Sequence, residues 1–131
     1  MGERTVHWLI YTCLLGLVPV IARFVVWIIS NNGVDVLAIS DLVAFGLVLH
    51  SANINEVNRI SQADTNWKTI HNGASILFIV LYALLLFATI ASPSNLNSTA
   101  LLYTTLLLSA VSVALSWSVF SRAQFGEGAE A

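Results

Sequence analysis

The stretch ILFIVLYALLLFATIA, residues 76–91, contains no charged side chain, no glycine and no proline. It forms the centre of an apolar segment running from about residue 70 to 92. At ~1.5 Å per residue, a helix of about 20 residues crosses the ~30 Å hydrocarbon layer of a bilayer. In water, such a helix would need cover on every face. A chain of 131 residues cannot supply that cover, because small domains bury a low fraction of their surface. The composition agrees: 57% of the residues are hydrophobic and 9% are charged, whereas soluble domains carry about 25% charged residues. The expected solvent is lipid.

Working outward, two further segments have spanning length, at about 7–30 and about 100–120. A fourth, at about 36–56, is strongly apolar only from Val36 to Leu49. It reaches spanning length by continuing as a helix through His50, Ser51, Asn53 and Asn55. Re-entry would need helix breakers, and Gly46 is the one candidate. The connections are short. Asn31-Asn32-Gly33 reads as a turn, and Ser92-Pro93-Ser94-Asn95 opens the last connection. Tight links of this kind make consecutive helices antiparallel neighbours. The expected fold is all-α: an integral membrane, antiparallel four-helix transmembrane bundle. It forms a single domain over residues 1–131, with a polar loop at about 57–68 and a flexible tail at 123–131.

Arg4, Arg59, Lys68 and Arg122 all fall on one side of this four-pass layout, and the two opposite connections hold no Lys or Arg. The positive-inside rule then puts both termini and the middle loop in the cytoplasm. Trp8, Trp67 and Trp117 lie at the expected inner boundary, with Trp27 and Tyr103 toward the outer one. Amphipathic rings favour those depths.

Arg23 stands well inside the first segment, where an ionisable group is costly unless paired. Counted inward from the outer ends, Arg23 and Asp41 differ in depth by only ~3 Å at ~1.5 Å per residue. The expectation is an Arg23–Asp41 ion pair, with Asp35 as a more exposed second choice. Pro19 interrupts the same helix, removing a backbone donor and favouring a kink.

The last segment carries the clearest pattern. Thr105, Ser109, Ser112 and Ser116 recur at helical spacing and put four small hydroxyl residues on one stripe. Small residues let helices approach closely, and hydroxyls can bond across the contact. In a ring of subunits, the same stripe would line a pore. On the cytoplasmic half, His50, Asn53, Glu56 and His71 form a candidate cluster for sensing pH or binding a ligand.

No nucleophile has an adjacent base, no glycine-rich loop cradles phosphate, and no His-x-x-His or Cys-x-x-Cys pair suits a metal. An enzyme is not expected, and neither is a cofactor or a metal. A net charge of −2 gives no basic patch for nucleic acid. The lone Cys13 sits among apolar neighbours and reads as a small buried hydrophobe. Small multidrug exporters need a carboxylate in the first helix, and this one has none. Ala22-Arg23-Phe24 is faintly similar to part of the fluoride-channel pattern, but Thr104-Thr105 is followed by Leu106 in an unbroken helix.

The overall layout resembles the small multi-pass membrane effectors of bacterial anti-phage operons. The resemblance implies a homo-oligomer that permeabilises the cell membrane in which it sits, the bacterial inner membrane. The leading expectation is therefore a homo-oligomeric channel or pore, gated by a cytoplasmic protein, a small-molecule activator or pH. One alternative is a membrane-anchored adaptor that docks a soluble partner on the 56–68 loop. A second is a small multi-pass transporter.

Overall fold

A computed structural model describes residues 3–31, 33–61 and 63–128. The chain is all-helical, with 84% of residues in helix and no strand among the described residues. Four helical rods follow one another.

The first, α1, covers residues 3–29. It is α-helical over Glu3–Trp8, π-helical over Leu9–Leu14 and α-helical again over Leu15–Ile29. Trp8 and Leu15, on either side of the π-helical stretch, keep right-handed helical backbone angles, so the rod is continuous. The loosened stretch lies directly before the turn in which Pro19 denies the Leu15 carbonyl a donor.

The second helix, α2, spans Ile39–Arg59. It starts where the extended Ala38 turns into the helix, and Asp41 in its first turn complements the helix dipole. It runs without a break through His50, Ser51, Asn53 and Asn55. The third, α3, spans Thr65–Ala91, capped where the Asp64 carboxylate accepts the Asn66 N–H at 3.4 Å. Ser92, held out of the helical region before Pro93, ends it. The fourth, α4, spans Ser98–Gly128. Asn97 Oδ1 accepts the Ala100 N–H at 3.1 Å, satisfying one of the free donors at its start.

The expected polar loop at 57–68 is shorter in the structure. Val57–Arg59 complete α2, and the Asp64 cap starts α3 at Thr65. Helix α4 continues beyond 120 through Gly128, over the first part of the expected tail. Asn32, in the first expected turn, and residues 129–131 of that tail lie outside the described residues.

Among the described residues, three helices are long and apolar enough to cross a membrane: Val6–Ile29, Thr65–Ala91 and Ser98–Ala123. They suggest a membrane location. The more polar α2 is the hub against which the other three pack. Asp41, Leu42, Val43, Phe45, Gly46, Leu49, His50, Asn53 and Val57 of α2 are all buried, whereas the described buried residues of α1 are Trp8 and Gly16 and those of α3 are Ser75 and Tyr82. The exterior is apolar: Ile28, Ile29, Phe87, Ile90 and Leu107 are all more than 60% exposed. His50, Asn53, Ser75, Thr105, Ser109, Ser112 and Ser116 are inside. A water-soluble protein arranges its surface and core the other way round.

One end of the bundle is tied by aromatic rings. Trp8 of α1 meets Phe120 of α4 at 4.4 Å between ring centroids, with Trp117 edge-on at 6.5 Å. The Arg122 guanidinium sits 4.7 Å above the Trp67 ring of α3. Asn72 of α3 donates to Asn58 of α2 at 3.0 Å. These contacts bring the C-terminal ends of α2 and α4 together, so the two helices run parallel.

Candidate functional site

Helices α2, α3 and α4 converge on a polar column. It begins with a close approach between α2 and α3. The Tyr82 ring sits against Gly46, where a β-carbon would come 2.6 Å from the phenol oxygen and still nearer the ring carbons. Only a residue without a side chain admits the ring there. Tyr82 is fully buried, and its hydroxyl reaches past α2 to α4, 2.9 Å from Ser112 Oγ and 3.4 Å from Ser109 Oγ.

Ser112 is a junction. Its hydroxyl lies 2.8 Å from the Leu108 carbonyl one turn back and 2.9 Å from His50 Nε2. The hydroxyl has a single proton. When Ser112 donates that proton to the Leu108 carbonyl, both Tyr82 O–H and His50 Nε2–H donate to its oxygen. When it turns toward the imidazole instead, Nε2 is the acceptor and Nδ1 carries the ring proton. Phe78 of α3 covers the imidazole at 4.8 Å between centroids.

One turn further along both parallel helices, Asn53 and Ser116 occupy the next layer. Among the described residues, neither Asn53 side-chain atom has a hydrogen-bond partner, and neither does Ser116 Oγ or His50 Nδ1. All three residues are at most 1% exposed. At the other end of the stripe, buried Thr105 donates to the Leu101 carbonyl at 2.7 Å.

The stripe Thr105, Ser109, Ser112 and Ser116 therefore points into the chain, toward α2 and Tyr82. A pore lined by this stripe on an axis between subunits is not the arrangement present: the stripe is already covered. The cluster His50, Asn53, Glu56 and His71 is divided. His50 and Asn53, three residues apart, share the buried face of α2. Glu56 lies off that face by helical periodicity and is half-buried. His71 stacks on Trp67 at 4.1 Å, and its Nδ1 lies 3.0 Å from the Trp67 carbonyl. Glu56 lines a cavity of about 290 Å³ between α1 and α2, together with Arg59, Asn55, His7 and Thr12.

At the opposite end of α2, the Arg23 guanidinium donates to the Asp41 carboxylate. Asp35 is exposed and lines a different, wider cavity with Ser98 and Tyr103. Among the described residues, no group of three or more His, Cys, Asp or Glu side chains could hold a metal ion.

Sequence reasoning missed Tyr82. Its one signal was that it is the only polar side chain between Ser75 and Thr89. No protein-family model, curated protein or solved structure matches the chain.

Proposed function

We propose that the protein is a four-crossing integral membrane protein that passes a small ion through the interior of its own bundle. Both termini and the 60–64 connection would lie on the cytoplasmic side, following the lysine and arginine placement. The supporting observation is the buried column from Thr105 through Tyr82, Ser112 and His50 to Asn53 and Ser116, enclosed in an apolar shell. Polar groups inside a membrane segment are expensive and mark substrate or ion routes.

Helix α2 qualifies as the fourth crossing on this reading. Its 21 residues extend ~32 Å at ~1.5 Å per residue, and α1, α3 and α4 shield its polar face from lipid. Conduction along this column requires no ring of subunits, since each chain carries the whole route. The cavity beside Glu56 and Arg59 opens at the cytoplasmic end and is the natural position for a controlling signal.

Proteoliposomes containing only this protein are expected to dissipate an imposed ion gradient faster than protein-free liposomes. Ser112→Leu removes the junction and fills the column. It is expected to lower the flux about tenfold or more, the effect of each ~1.36 kcal/mol added to a barrier. Ser118→Leu, on an exposed face of α4, is expected to leave the flux unchanged. Equal leak from loaded and empty liposomes would end the channel reading.

A further inference from the structure

We infer that His50 Nδ1, the Asn53 carboxamide and the Ser116 hydroxyl form an internal water-binding site that hands protons to the His50–Ser112–Tyr82 chain. The permeant species is then the proton. The inference rests on the channel reading above and gives it a substrate.

Buried polar atoms in folded proteins are nearly always partnered. Here four of them, on adjacent turns of two parallel helices, lack partners among the described residues. Their burial, at most 1% residual exposure, keeps lipid headgroups and a second copy of the chain from reaching them. Their chemistry selects what does. The carboxamide offers two donors and an acceptor, the hydroxyl one donor and two lone pairs, and Nδ1 a single donor or acceptor by tautomer. A water molecule making two to four hydrogen bonds suits this mixed set.

A metal cation does not suit it. Bare sodium or potassium needs a shell of oxygen ligands with no N–H pointing at it. It also gains from nearby negative charge, and none faces this layer. From α3, the groups against His50 are Phe78 and Tyr82. From α4, they are Ser112 and, one turn on, Ser116. No titratable residue of α1 contacts the ring among the described residues. On α2 itself, Glu56 is turned toward the cavity it shares with Arg59 and His7, and Asp41 is held by Arg23 at the far end.

The step balances as a concerted shift. A proton that arrives on the bound water, making it hydronium, joins His50 Nδ1 and leaves neutral water behind, as the Nε2 proton leaves for Ser112 Oγ. Ser112 gives its own proton to Tyr82 Oη, at 2.9 Å, Tyr82 gives its proton to Ser109 Oγ, at 3.4 Å, and Ser109 releases its own proton to a second water on the outer side. One proton enters, one leaves, and every residue is neutral afterwards. A histidine between two hydrogen-bonding partners is well suited to this shuttle.

The test uses the full chain in liposomes, with an internal pH dye and, separately, potassium- and sodium-sensitive dyes. Wild type is expected to carry protons with no potassium or sodium flux above the protein-free level. Asn53→Leu and Ser116→Ala are each expected to lower proton flux at least about tenfold. Ser116→Ala removes a single atom and guards against a folding defect, which the elution profile in detergent checks for both variants. Independently of transport, ¹⁵N-histidine NMR is expected to show exchange between water and His50 Nδ1, lost in Asn53→Leu. If potassium or sodium passes as readily as protons, or if both variants conduct normally, the proton site is wrong while the channel reading stands. Without flux of any ion, both fall. Absence of water exchange at Nδ1 also overturns the site.

Discussion

Gly46→Ala is expected to destabilise the bundle by about 3 kcal/mol, the upper end of the usual cost of overpacking. The added methyl would land in the Tyr82 ring, with the phenol oxygen 2.6 Å away. Tyr82 cannot swing aside, because it is fully buried and its hydroxyl is tied to Ser112. Helices α2 and α3 would have to separate, breaking the polar column at its narrowest contact. Thermal unfolding in detergent, followed by tryptophan fluorescence, measures the effect. Adding Tyr82→Leu to Gly46→Ala makes room for the methyl and is expected to recover more than half of the lost stability. An alanine variant as stable as wild type would show that the ring does not seat on Gly46. By contrast, Gly73 has no atom within 4 Å of its would-be β-carbon, so Gly73→Ala is expected to be neutral or mildly stabilising through helix propensity.

The second large effect concerns the ion pair between α1 and α2. Asp41→Ala is expected to cost about 3 kcal/mol, because breaking a buried pair strands its partner. Arg23 is 29% exposed and Asp41 12% exposed at the side chain, so the figure lies at the low end of the range for fully buried pairs. Exchanging the two, Arg23→Asp with Asp41→Arg, is expected to regain part of that loss. Both single variants should be worse than the exchange when midpoints are compared in the same detergent. A double variant as poor as the worse single one would mean that the contact is not the source of the stability. Apolar replacement of both partners, Arg23→Leu with Asp41→Leu, is the informative control. It is expected to approach wild-type stability, since two well-packed apolar residues often match a buried pair.

The features legible in the sequence were those set by position along a helix or by depth in two helices joined by a short turn. The Arg23–Asp41 contact followed from comparing depths in two helices joined by a short turn. The continuous polar end of α2 followed from the lack of helix breakers after Gly46. The stripe on α4 was visible from its spacing, but spacing defines a face and not what the face meets. Two neighbours decided that: α2, which is not adjacent to α4 in sequence, and Tyr82 on α3. Neither is implied by local pattern. The His50, Asn53, Glu56 and His71 grouping failed for a related reason. It collected residues at one depth without dividing them by helical phase, and phase sent Glu56 to a cavity and His71 to Trp67. The loop was drawn too long because Asp64, a capping residue, was read as loop composition and not as the start of a helix.

The placement of α2 at the hub has a consequence for how the chain is made. It leaves the ribosome second, yet the helices that cover His50 and Asn53 are the two that emerge after it. On the four-crossing proposal, a nascent chain halted before residue 65 would present that polar face bare to hydrocarbon, with α1 as its one companion. Integration of α2 should therefore wait on synthesis of α3 and α4. A reporter fused after Arg59 should reach the cytoplasmic side far less completely than one fused after Arg122, because α1 alone would leave it on the opposite face.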